Sequence, residues 1–202
     1  MTKEDEILLA AEEEFFSNGY DATSTTTIAR RAGVTHAMVN YYFKNKELLF
    51  KQVLDNNVYS LIQQLKHLMQ SNKNLADVIT DVACTIFDIF DKKRRLPFLL
   101  CDISRTHPEF FSPYSEYFDK LFFESMELHQ KFLKQRYEAG DIPDCSMRDM
   151  YRTIVTLSTA PYLALHFIQN VVGFTKERTE EFLANSRAEM IRLLQARYTV
   201  AR

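Results

Sequence analysis

Apolar residues recur at three- and four-residue spacing along most of this chain, the period of helices buried on one side. Ile7, Leu8, Ala11 and Phe15 predict a helix over about 3–18. Gly19 is the expected left-handed residue past its end, with Tyr20 packing back on the last turn. Thr23, Ser24 and Thr25 supply cap oxygens for a short second helix, with Ile28, Ala29 and Ala32 inward and Gly33 closing it. Thr35 caps a short third helix. Its inward residues are Val39 and Phe43, and Ala37, Asn40, Tyr41 and Lys44 lie on the other side. Asn45 caps a fourth helix that runs without a breaker to about residue 70. Further helices are expected over roughly 74–92, 96–106, 114–139, 147–172 and 176–198. The fold class is therefore all-α. Two parts are expected: residues 1–46 and 47–202, joined through the fourth helix.

Composition agrees with the pattern. The 202 residues include only 4 Gly and 5 Pro, too few breakers for a strand-and-turn protein, and 16 Phe supply core volume. The three cysteines, Cys84, Cys101 and Cys145, are odd in number and far apart, which fits reduced thiols better than a disulfide framework. No apolar run reaches membrane-spanning length and the N-terminus is acidic and helical, so a soluble, cytoplasmic protein is expected, with no membrane association.

A net charge of −2 does not announce a nucleic-acid binder, but the distribution is uneven. Arg30, Arg31, Lys44, Lys46 and Lys51 fall between Ser24 and Lys51 against Glu47 alone, while the first helix is acidic. Two short helices joined by a tight turn beside a basic corner form the pattern of a DNA-reading helix-turn-helix. Its recognition helix would present Thr35, His36, Ala37, Asn40 and Tyr41 to the major groove of double-stranded DNA. Thr25 would offer its hydroxyl and a backbone N–H to a phosphate.

The segment GYDATSTTTIARRAGVTHAMVNYYFKNKELL resembles the N-terminal signature of the TetR (tetracycline-repressor) family of bacterial transcription regulators. The matching elements are Gly19-Tyr20, Ala22-Thr23, Ile28-Ala29, Ala32-Gly33-Val34, Thr35, Tyr42-Phe43, Lys46-Glu47 and Leu48. The resemblance implies phosphate contacts from Tyr42 and Lys46. Two positions depart from the family pattern: Ala37 stands where Gly is frequent, and Asn40 where Tyr is frequent. An asparagine there can pair with adenine through two hydrogen bonds, or contact the backbone instead.

The resemblance also implies that residues 47–202 dimerise and sense a ligand. A homodimer would place two recognition helices on a palindromic operator, and a small apolar or aromatic effector would release it. The segment 147–172 is apolar on nearly every face, and Leu183, Met190 and Leu194 form a stripe on the last helix. These three are the expected dimer-interface residues. Candidate pocket residues are Phe87, Phe98, Cys101, Asp102, Phe122, His129, Thr156 and His166, which are aromatic or are polar within apolar runs. Pro161 is expected to kink its helix. A regulator governed by a protein partner, or by no ligand, would have the same pattern. So would a helical enzyme or carrier with an idle DNA motif. There is no Gly-rich phosphate loop, no nucleophile elbow and no C-x-x-C pair, and the five histidines are dispersed. Neither catalysis nor a metal or other cofactor is expected.

Overall fold

The computed structural model describes residues 2–69, 75–119, 133–135, 137–140 and 145–199. Its helices are α1 (Lys3–Ala22), α2 (Thr25–Arg31), α3 (His36–Phe43), α4 (Lys46–Met69), α5 (Leu75–Lys92), α6 (Leu96–Thr106), α7 (Ser112–Asp119), α8 (Met147–Asn170) and α9 (Lys176–Tyr198). A 3-10 turn, Pro108–Phe111, precedes α7. No strand occurs among the described residues. Two compact units form: residues 1–63 with 98–110, and residues 64–97 with 111–202. The expected division after Lys46 thus falls inside the first unit, which also takes in most of α4 and α6.

In the first unit Ile7, Ala11, Phe15, Ile28, Val39, Phe43, Leu49 and Phe50 are buried, together with Ile103 and Phe110. Gly19 breaks α1 at φ 78° and ψ 174°. Its φ is positive as expected, but its ψ is extended, a combination open essentially only to glycine. The break turns Tyr20 into an aromatic cluster. Its ring lies 4.8 Å from Phe50, 5.0 Å from Phe110 and 6.0 Å from Phe15, centre to centre. Thr23, one of the three expected cap residues, serves the helix before it: its buried hydroxyl donates to the Gly19 and Glu14 carbonyls. Ser24 alone is the N-cap of α2, reciprocated by Thr27.

The second unit is built on α5, which packs against both α8 and α9, while α8 also packs on α9. Ile79, Val82, Ala83, Ile86, Phe87 and Phe90 of α5 are buried, with Met150, Ile154, Tyr162 and Leu165 of α8 and Leu183, Met190, Leu194 and Tyr198 of α9. Polar groups inside this core are satisfied. The Tyr162 hydroxyl donates to the Phe87 carbonyl at 3.0 Å, and Ser158 donates to the Ile154 carbonyl at 2.7 Å. Burial therefore pushes the Tyr162 phenol well above its ordinary value. At the rim, Arg94 forks onto Glu180 and Arg187 onto Asp88, tying α9 to α5 and the turn that follows it. No described helix is long and apolar enough to cross a membrane.

Candidate nucleic-acid interface

Local sequence shapes the surface of the first unit. Ser24 and Thr35 cap α2 and α3 by accepting from the backbone N–H of Thr27 and Met38. Gly33, at φ 64°, allows the tight turn between them. The two helices share the buried residues Ile28, Ala29, Val39 and Phe43. One face of α3 is thereby fixed inward, and His36, Ala37, Asn40 and Tyr41 are left exposed. Tyr41 is 81% exposed, and Tyr42 39%. The two rings meet edge to face at 5.2 Å, which restricts both on the surface.

Three of these side chains form a chain across the two helices. Thr25 Oγ1 lies 2.9 Å from His36 Nε2, and His36 Nδ1 lies 3.5 Å from Asn40 Nδ2. Thr25 is the first residue of α2, His36 the first of α3, and Asn40 stands one turn further along α3.

The basic residues divide in a way that the sequence did not reveal. Arg31 donates to Glu14 at 2.6 Å and to Glu13 at 2.8 Å, which locks α2 to α1. Glu14 is buried, and its carboxylate takes a second bond from Asn18. Lys51 pairs with Glu47 at 2.6 Å. Lys46 donates to the Tyr20 carbonyl at 3.1 Å and the Asp21 carbonyl at 3.4 Å, and its ammonium stands 4.3 Å from the centre of the Tyr20 ring. Among the described residues of the helix-turn-helix, Arg30 and Lys44 are the cations whose side chains have neither an ion pair nor a hydrogen bond. Lys44 sits at φ 62° and ψ −50°, and the Asn45 N–H donates to the Phe43 carbonyl at 2.7 Å. This is a γ-turn centred on Lys44, a strained conformation for a residue with a side chain. It ends α3 and releases Asn45 to cap α4 through the Leu48 N–H.

The described residues of the expected pocket are divided between the two units. Phe98, Cys101 and Asp102 belong to the first unit, with Phe98 and Cys101 exposed and Asp102 paired with Arg105. Phe87 belongs to the second unit, where its ring packs 4.9 Å from Tyr162 as part of the core. Thr156 and His166 are exposed on α8. Phe122 and His129 lie outside the described residues. The expected dimer residues also need correction. Leu183, Met190 and Leu194 are 3%, 1% and 0% exposed in a single chain, because α9 turns this stripe onto α5 and α8. Within the single chain they are core. Exposed apolar residues of the second unit include Val155, Leu163 and Phe167 on α8 and Val171 and Val172 just past its end. The α8 helix runs through Pro161 from Met147 to Asn170.

Comparison with known proteins bears on the first unit most directly. Residues 7–53 match the family model described as bacterial regulatory proteins, tetR family. The chain is 40% identical over 55 residues to the HTH-type transcriptional regulator QacR of Staphylococcus aureus, covering 27% of this chain and 29% of that protein. It is 33% identical over 79 residues to the fatty acid metabolism regulator protein of Bacillus subtilis, covering 37% of this chain and 41% of that one. The matched stretches thus span less than half the length of either curated relative. Fold similarity extends further. The ketosteroid transcriptional regulator KstR2 of Mycobacterium tuberculosis superimposes over 93% of this chain and 94% of its own, with a TM-score of 0.65 at 18% identity.

Proposed function

Because this chain belongs to the tetR family of bacterial regulatory proteins, we propose that it is a DNA-binding transcriptional repressor acting as a homodimer on a palindromic operator. The observation that carries the reading is the exposed α3 face, with Asn40 and Tyr41 outward and the unpaired cations Arg30 and Lys44 in the same unit. Amide and phenol groups on a short capped helix suit base edges in a major groove, and free cations suit phosphates. Ala37 keeps the start of that face low, Thr35 is committed to its cap, and Tyr42 offers a hydroxyl to the backbone of the duplex.

One helix-turn-helix makes few contacts, so two are needed for a specific site. Val155, Leu163 and Phe167 of α8 and Val171 at its C-cap are exposed apolar residues. Phe167 and Val171 are 61% and 69% exposed. These exposed apolar residues are the part of the second unit suited to a partner copy. An apolar small molecule is the effector class the reading favours, given the Phe-rich second unit and a relative named for fatty acid metabolism.

The test is selection from randomised DNA duplexes by the purified protein. Enrichment of an inverted repeat whose binding weakens steeply with salt supports the reading. Failure to enrich any inverted repeat overturns it. Addition of a long-chain fatty acid then tests the effector class: release of the selected duplex supports it, and unchanged affinity rejects it.

A further inference from the structure

The chain of contacts Thr25–His36–Asn40 has a direction that the chemistry of its groups imposes. An asparagine Nδ2 can only donate, so the His36 Nδ1 facing it at 3.5 Å must accept. A neutral imidazole carries one proton, which must then sit on Nε2 and be donated to Thr25 Oγ1 at 2.9 Å. Thr25, having accepted, keeps its own hydroxyl hydrogen for an outside acceptor. Asn40 has two amide hydrogens. Giving one to His36 leaves the other beside Oδ1, a donor–acceptor edge that matches N7 and N6 of adenine.

From this we infer that His36 is a positioning residue for specificity rather than a reader of its own base. It holds the Asn40 amide in the orientation that selects adenine, and it links that orientation to Thr25, whose free hydroxyl donates to a DNA phosphate. The inference rests on the DNA-binding reading above. Without His36, either edge of the Asn40 amide can face the groove. The reversed amide puts a donor where adenine N6 also donates, so discrimination falls even though Asn40 is still present.

The placement of the three residues supports this arrangement. His36 and Asn40 are one turn apart on α3, the spacing at which side chains meet. Thr25 reaches them from α2 because the turn at Gly33 brings the two helix starts together. All three are surface groups outside the buried set of the unit, so changing them leaves the core intact.

The experiment is the same duplex selection, run on the full chain with five proteins: unaltered, Asn40→Ala, His36→Phe, these two changes combined, and Thr25→Val. Circular dichroism confirms that each is folded. The unaltered protein is expected to prefer adenine at one position per half-site. Asn40→Ala should reduce that preference about tenfold. His36→Phe should relax preference at the same position, and adding it to Asn40→Ala should relax it no further. Thr25→Val should weaken binding to every sequence and also loosen preference at that position. A residue that touched only phosphate would not do this. If His36→Phe leaves the adenine preference intact, or changes preference at a different position, the bridge is wrong while the DNA-binding reading stands. If Thr25→Val weakens all sequences with preference unchanged, the link to Thr25 is wrong. If the unaltered protein enriches no inverted repeat, the DNA-binding reading itself has failed, and this inference with it.

Discussion

The ammonium of Lys46 stands 4.3 Å from the centre of the Tyr20 ring and donates to the Tyr20 carbonyl at 3.1 Å. The first residue of α4 is thereby tied to the break at the end of α1. A lysine expected to serve DNA phosphate is bound, in the free protein, to its own chain. Tyr20 in turn touches Phe15, Phe50 and Phe110, so Lys46 covers the entrance to an aromatic cluster.

Lys46→Ala is accordingly expected to cost stability as well as affinity. Losing a cation–ring contact and a charge-assisted bond to a carbonyl should cost about 1–2 kcal/mol. Denaturant unfolding in the absence of DNA measures it. An unchanged midpoint would mean that the tie to Tyr20 contributes nothing.

Arg30 and Lys44, having no ion pair among the described residues, are expected to carry the salt dependence of DNA binding. Replacing either with Gln should lower the slope of log affinity against log salt by about one, with no change of base preference. Lys44 allows a second measurement because its φ is 62°. Lys44→Val should lower stability by about 1–2 kcal/mol, and Lys44→Gly should not, although both remove the charge. Equal stabilities for the two variants would contradict a strained turn.

The α8 surface can be separated from the core by charge substitution. Leu163→Lys with Phe167→Lys should give a folded monomer that no longer binds a two-half-site duplex. Met190→Lys should instead unfold the second unit, because an unpaired charge at a position 1% exposed costs several kcal/mol. Sedimentation with circular dichroism distinguishes the two. A dimeric Leu163/Phe167 variant would place the partner contact elsewhere.

His107 offers a pH test within the first unit. Its Nε2 lies 3.0 Å from Asp21 and its Nδ1 3.1 Å from Glu109, with the Tyr20 ring 5.0 Å away. The hydrogen bond to Asp21, and after it that to Glu109, raises its titration above 6.5, with Lys51 and Lys46 the nearby cations. A raised value means that the folded state holds the proton more tightly than the unfolded one. The contribution is therefore complete below about 6.5 and is lost as pH rises through the folded value. Titration of the His107 ring signal by NMR should give a midpoint above 6.5, and His107→Gln should remove that part of the alkaline loss. A midpoint at or below 6.5 would mean that the two carboxylates do not hold the proton.

The helices themselves were legible in the sequence, since caps, breakers and apolar periodicity are local. The 75–92, 96–106 and 176–198 segments appear within a residue of where the pattern put them. The outward face of α3 was legible for the same reason, because the inward positions Val39 and Phe43 assign the rest. Tertiary structure decided which charges are free and which apolar stripes are covered. Sequence spacing cannot tell that Glu13 and Glu14 reach Arg31 from 18 and 17 positions away, or that Lys46 reaches Tyr20 from 26. It also cannot tell that α9 lays Leu183, Met190 and Leu194 onto its own chain, leaving Phe167 and Val171 uncovered. Periodicity marks a face as apolar, but which surface covers that face depends on neighbours brought together only by folding.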